Sequence, residues 1–166
     1  MSLETNVKSS YEVIRQKLVD TDRKIVREIT EAAFGQKLRE DYFTDQSNKD
    51  AAAYLERNGR GVAIVLDTKF GKYLDLIAVR KMGNGTGTAI MSSINHENAS
   101  RLFWRSKLER KEANDWYIKI SDGHQRCFGP DNIPYNVYWK GAMPNGSLYG
   151  IVDFASTKIS NFEPKR

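Results

Sequence analysis

The segment from Tyr73 to Asn95 constrains this chain more than any other. An apolar run rich in branched residues, Tyr73 to Val79 (YLDLIAV), ends directly in RKMGNGTGT, and a breaker-free stretch from Ala89 to Asn95 follows. The order predicted is strand, glycine loop, helix. Such a turn gathers backbone N–H groups and the positive end of a helix dipole around one point, which suits an anion. Gly83, Gly85 and Gly87 carry no side chain to hold an anion off the backbone, and Arg80 and Lys81 add charge. On the local pattern alone, a flexible turn without ligand is the alternative. The loop lacks both the G-x-G-x-x-G spacing of a dinucleotide unit and the G-K-[ST] of a P-loop.

Around this segment the chain reads as one domain from residue 11 to 166, with residues 1–10 a flexible N-terminus whose Met1-Ser2-Leu3 has the look of an expression-vector remnant. Tyr11 to Phe34 carries apolar residues at mostly helical spacing, predicting one or two helices. A short helix is expected at Ala51 to Leu55, stopped by Gly59. Val62 to Leu66 (VAIVL) pairs with Tyr73 to Val79 as adjacent antiparallel strands across a turn at Asp67 to Lys72. Arg101 to Trp104 is a further strand, and Asn114-Asp115 caps a helix carrying Trp116 and Tyr117 that Ser121-Asp122-Gly123 ends. Beyond it, VYWKG and SLYGIVDF read as strands, with Pro130, Pro134, Pro144 and Gly146 in the loops. The class is α/β, with a mixed, mostly antiparallel sheet flanked by helices.

Composition sets the boundaries. Of 166 residues, 40% are hydrophobic and 28% charged, enough apolar mass for a folded core. The net charge of +5 is dispersed, with acids between the bases in RKIVREITE and RSKLERKEAND, which predicts a solvated surface with a local anion site and no nucleic-acid partner. Cys127 is the only cysteine, and His96 and His124 do not complete a metal site with it, so no metal is expected. No apolar run approaches the roughly 18 residues a membrane span needs. No membrane partner is expected, and the location implied is the cytoplasm, or the mitochondrial matrix in a eukaryote.

The loop resembles the acetyl-CoA signature of the GNAT acetyltransferases, Gln or Arg, two residues, Gly, one residue, Gly or Ala. Here it runs Asn84-Gly85-Thr86-Gly87-Thr88-Ala89, with Asn84 at the position of the Gln. FGQKLREDYF, VAIVL, YLDLIAV, GNGTG, LFWRSK, WYIKISDG and VYWKG then occur in the order of the acetyltransferase domain of N-acetylglutamate synthases and bifunctional synthase/kinases, over roughly Ala33 to Gly141. LFWRSK followed by WY and SDG is the most specific part.

The resemblance implies the GNAT fold and transfer of acetyl from acetyl-CoA to the α-amino group of L-glutamate, a step of arginine biosynthesis. It implies an N-terminal amino-acid kinase domain as partner, and leaves a homo-oligomer open. It places acetyl-CoA on Ala78, Val79, Arg80, Asn84, Gly85, Thr86, Gly87, Thr88 and Ala89. It makes Tyr117 the catalytic proton donor or a glutamate contact and Arg105 a substrate contact; Asn114, or Arg110 at the position of the family's asparagine, is expected to take over the substrate contact of the missing Asn-Pro. Read alone, Trp116 and Tyr117 are core aromatics and Arg105 a surface ion pair. Two positions depart from the family: Leu76 stands where a glutamate-binding lysine is found, and the Asn-Pro after WRSR is missing. These departures keep two other readings open, a catalytically silent acetyl-CoA-binding regulatory domain and a GNAT enzyme for another amine.

Overall fold

The computed structural model describes residues 11–98, 101–129, 132–141, 148–158 and 160–164. Among them seven strands and four helices alternate: β1 (Val13–Lys17), α1 (Arg23–Phe34), β2 (Ala52–Glu56), β3 (Gly61–Thr68), β4 (Gly71–Val79), α2 (Thr86–Asn98), β5 (Arg101–Lys107), α3 (Lys111–Ile120), β6 (Gly123–Phe128), β7 (Pro134–Gly141) and α4 (Leu148–Thr157). The strand order is β1-β2-β3-β4-β5-β7-β6. Ladders β1–β2, β2–β3, β5–β7 and β6–β7 are antiparallel, and β4–β5 is parallel. The mixed, mostly antiparallel sheet expected from sequence is the one observed.

The chain forms two compact units, one drawn from residues 1–66, 75–97 and 161–166, the other from 67–74 and 98–160. In the first, β3 is buried on both faces from Gly61 to Leu66, as its unbroken apolar run requires. Asp22 starts α1: its carboxylate accepts from the Lys24 and Ile25 N–H groups at 3.0 and 3.4 Å. Gly35, at φ 64°, ends the helix, its N–H donating to Glu31 O. Residues 161–163 fold back onto this unit. Arg39 N–H donates to Asn161 O and Glu163 N–H to Lys37 O, both at 2.8 Å, and Phe162 stacks 4.9 Å from Phe34.

In the second unit, β7 lies between β5 and β6, in register from Arg101↔Gly141 to Lys107↔Tyr135 on one side and from Gly123↔Trp139 to Phe128↔Pro134 on the other. Tyr73, Phe103 and Phe154 form an aromatic cluster with centroids 5.0–5.9 Å apart. Strand alternation sends Phe103 and Arg105 to one face of β5, and Trp104 and Ser106 to the other.

Five expectations are corrected. Val13–Lys17 is a strand, not the start of a helix: it pairs with β2 from Val13↔Glu56 to Lys17↔Ala52, and a one-turn 3-10 helix at Leu18–Asp20 separates it from α1. Ala52–Glu56 is also a strand, because pairing on both sides overrides the helix preference of its alanines. Leu148–Thr157 is helical rather than extended; among its described side chains, Ile151 and Ala155, four residues apart, are the fully buried ones. Finally, α3 begins at Lys111, so Asn114 lies within the helix and is not its cap. Pro134 opens β7 instead of sitting in a loop, while Pro130, Pro144 and Gly146 lie outside the described residues.

Candidate functional site

The glycine loop belongs to the first unit. Residues 80–85 are all exposed, and Gly83 and Gly85 both sit at φ 84°, a conformation that a side chain at either position would strain. Gly85 O accepts from Ala89 N–H at 3.0 Å, so Gly85 is the residue from which α2 starts. The N–H groups of the first turn therefore have no carbonyl below them within the helix. Thr86 is buried, and Gly61 explains how: a Cβ at Gly61 would lie 2.9 Å from Thr86 Cγ2 and 3.0 Å from both Ala78 O and Ile90 Cδ1. The absence of that one side chain lets the start of α2 press against the strands.

The other expected cofactor residues divide. Asn84 and Thr88 are exposed with the loop, and Val79, Gly87 and Ala89 are half-buried. Ala78 is buried. Arg80 is less free than the sequence suggests. Its N–H donates to Arg60 O at 2.9 Å, its Nε donates to Gly59 O at 2.8 Å, and Nη2 lies 4.0 Å from Glu28. Arg80 thus ties the loop's base to the turn before β3, and Lys81 is the exposed cation beside it.

Sequence reasoning passed over the residues around that turn. Glu56 is fully buried. Its Oε1 accepts from Asn58 N–H (3.1 Å), Arg60 N–H (3.1 Å) and Arg60 Nε (2.9 Å), and its Oε2 accepts from Arg60 Nη2 (2.9 Å). The Arg60 guanidinium, outweighing the opposing effect of burial, holds this carboxyl below the usual carboxylate range. The Arg60 guanidinium lies 4.4 Å from the Tyr11 ring centroid, and the Tyr11 hydroxyl donates to Asn84 O in the glycine loop. Only the Glu56/Arg60 spacing was visible beforehand.

The expected acceptor residues belong to the second unit. Tyr117 is buried on α3, with ring centroids 5.3–5.5 Å from Trp104, Trp116 and Tyr138. Burial pushes its hydroxyl up to about 12, so it stays protonated at neutral pH. Asn114, one turn earlier, is committed to the fold. Its Nδ2 donates to Lys107 O (2.7 Å) and Arg110 O (2.9 Å), and its Oδ1 accepts from Tyr138 O–H at 2.6 Å. Asn136 Nδ2 donates to the same hydroxyl at 3.2 Å. Trp104 Nε1 and Ser106 Oγ, on that face of β5, are buried with no hydrogen-bond partner among the described residues.

Arg105 points the other way. Its Nη1 donates to Ala155 O and its Nη2 to Lys158 O at 3.1 Å, and its guanidinium lies 5.3 Å from the Tyr135 ring centroid. The fork expected to hold a carboxylate instead holds the carbonyls at the end of α4. Tyr117 and Asn114 are therefore brought together, while Arg105 is on the opposite face of β5. Leu76 is buried on β4. Among the described residues no group of three or more His, Cys, Asp or Glu is placed to hold a metal ion, and no helix is long and apolar enough to cross a membrane.

Comparison with known proteins identifies the family and the fold. The family model of the N-acetyltransferase domain of N-acetylglutamate synthase matches residues 7–160. The mitochondrial N-acetylglutamate synthases of Mus musculus and Homo sapiens are 27% and 26% identical over 164 residues, covering 95% of this chain but only 30% and 29% of theirs. The chain thus spans less than a third of these relatives' length. Among solved structures, the ribosomal-protein-S18-alanine N-acetyltransferase of Escherichia coli superposes with a TM-score of 0.62 at 16% identity, over 82% of this chain and 98% of that one. An acetyltransferase of Bacillus subtilis in complex with CoA gives 0.57 at 11% identity, over 80% and 99%. The strand-loop-helix unit, the mixed sheet and the family match converge: the chain has the GNAT acyl-CoA N-acyltransferase fold and belongs to the family of N-acetyltransferase domains of N-acetylglutamate synthase.

Proposed function

We propose that this chain is an acetyl-CoA-dependent N-acetyltransferase whose acceptor is the α-amino group of L-glutamate. The observation that carries the cofactor half is the exposed loop with Gly83 and Gly85 at φ 84°, opening directly into α2. Backbone N–H groups at that turn suit a pyrophosphate, and Lys81 adds a cation beside them. Gly83, Asn84, Gly85, Gly87 and Thr88 are the residues that would hold it.

When bound, acetyl-CoA supplies the thioester, and the chain must supply a neutral amine beside it, donors for the oxyanion and a proton for the departing thiolate. Val79, next to the loop on β4, would supply its backbone N–H for the first of these donor roles: Arg80 N–H donates to Arg60 O on the β3 side, and N–H directions alternate along a strand, so Ala78 N–H faces β3 and Val79 N–H faces away from it. Tyr117 carries its proton at neutral pH and can orient the acceptor through its hydroxyl or pass the proton to the thiolate, as a weaker acid than an exposed tyrosine because burial raises its pKa to about 12. Trp104 Nε1 and Ser106 Oγ, on the same face of β5, are unspent donors of the kind an acceptor carboxylate needs. Glutamate as acceptor also draws support from the family match and the two mammalian relatives.

A second reading, an acetyl-CoA-binding regulatory domain without strong activity, is favoured by Arg105, which is engaged by α4, and by the apolar Leu76. CoA thiol release from acetyl-CoA, with and without L-glutamate, separates the two. Glutamate-dependent release supports the synthase; CoA binding without release supports regulation; release with another amine from a panel moves the acceptor but keeps the acetyltransferase. An attached amino-acid kinase domain, self-association, a role in arginine biosynthesis and a cytoplasmic or matrix location are parts of the same proposal.

A further inference from the structure

We propose that Tyr11 is a positioning residue that locks the Asn84–Gly85 peptide in the one orientation that turns the Gly85 N–H toward an anion; this rests on the acetyl-CoA reading above. The argument begins with the peptide plane. In a trans peptide the C=O and the following N–H point in opposite directions. Tyr11 O–H donates to Asn84 O, so the Asn84 carbonyl is held toward Tyr11 and the Gly85 N–H is directed away from it. The reverse orientation would present a carbonyl oxygen where the anion is to bind, replacing attraction with repulsion.

The loop does not enforce that choice by itself. Gly85 has φ 84°, and glycine crosses between positive and negative φ at little steric cost, so the peptide before it flips readily unless something holds the carbonyl. Tyr11 supplies the hold in two ways. Its hydroxyl engages the carbonyl, and its ring closes over Gly85: a Cβ at that glycine would lie 3.6 Å from Tyr11 Cε2 and from its hydroxyl oxygen.

Tyr11 is in turn fixed from behind. The Arg60 guanidinium sits on its ring face, and that guanidinium is fixed by two donations to the buried Glu56 carboxylate. Because Glu56 neutralises Arg60, the assembly contributes shape rather than charge. The chain of contacts from Glu56 through Arg60 and Tyr11 to Asn84 lies within the first unit.

The test is titration of CoA into the whole chain, for the wild type, Tyr11→Phe and Tyr11→Leu, with steady-state kinetics alongside. Tyr11→Phe is expected to raise the Kd for CoA about ten-fold, the scale of one weakened charge-assisted hydrogen bond. The KM for acetyl-CoA should rise by the same factor, with kcat and the melting temperature unchanged. A wild-type-like Tyr11→Phe beside a weakened Tyr11→Leu would mean that only the ring packs, and the lock is overturned. If the wild type itself does not bind CoA, the acetyl-CoA reading fails, and the Gly85 amide resonance of the ligand-free protein still decides on the lock. A second or broadened Gly85 signal in Tyr11→Phe supports it; an unchanged single signal overturns it.

Discussion

The glycine loop and the aromatic face of α3 spend their polar groups in opposite ways. Residues 80–85 are exposed and present backbone outward, with side-chain contacts at the loop's rear from Tyr11 and Arg80. On α3 and β7, Asn114, Asn136 and Tyr138 turn their polar atoms onto one another and onto the carbonyls of Lys107 and Arg110. On the proposed reading the first region would recognise through main chain, which needs only the right glycines. The second can recognise only with what its internal network leaves over, and a motif residue found there is as apt to be holding the fold as holding a substrate.

The largest effect should come from Asn114→Ala, which strips two carbonyls and the Tyr138 hydroxyl of a buried partner. A loss of about 3 kcal/mol is expected, from unpaired buried groups at about 1–3 kcal/mol each, read by urea unfolding. A stable variant that has lost only glutamate dependence would break the contrast and make Asn114 a substrate contact. Arg105→Ala should cost about 2 kcal/mol, the scale of hydrogen bonds to a charged donor, by releasing the end of α4. The melting temperature should fall with it, while CoA affinity stays. Unchanged melting with lost glutamate-dependent turnover would return Arg105 to the acceptor side.

Gly85→Ala sharpens the other side of the comparison. Forcing a side chain to φ 84° should cost about 1 kcal/mol of stability, yet CoA binding should weaken by much more than the stability loss accounts for. Equal, small losses in both would mean that the loop is merely a turn.

The smallest effects are pH-dependent, and they differ in sign between the two regions. Glu56 has its pKa lowered, chiefly by the hydrogen bond from Arg60, so its contribution is complete above the ordinary carboxylate range and disappears as pH falls through the folded value. Tyr117 has its pKa raised by burial, so the folded state keeps its proton while the unfolded chain loses it, and stability declines as pH climbs from about 10 toward about 12. Unfolding free energies of Glu56→Gln and Tyr117→Phe across pH 3–11, about the accessible span, should flatten the acid and alkaline limbs respectively. If Tyr117→Phe leaves both the alkaline limb and kcat unaltered, its hydroxyl has neither role.

How far the sequence could be read follows the same division. β3, β4, the loop and α2 were legible because their signals are local: unbroken branched runs, then glycines where the backbone needs them. β1 was misread because an edge strand with Ile14 exposed shows no strict alternation, and its apolar spacing runs on into α1. AAYLE in β2 favours a helix alone, and only its partners on either side make it a strand. α4 was misread because a short apolar run fits either period. In the second unit, LFWRSK named the right strand, but which of its side chains face α3 and which face α4 is a matter of pleat. That assignment put Arg105 and Tyr117 on different faces. Tyr11 was invisible as a loop partner because the contact joins residues 73 positions apart.

The return of residues 161–163 to the strip at Lys37–Arg39 has a consequence for how the chain is made. The unit with the glycine loop is assembled from three stretches of sequence, the last synthesised after the whole of the other unit. During translation its sheet and α2 can collapse early, but it lacks the bonds from Asn161 and Glu163, and the Phe34–Phe162 stack, until those residues have left the ribosome. A chain ending at residue 158 should therefore hold the glycine-loop unit in a looser state, more open to protease than the full 166 residues, although every residue of the loop is present.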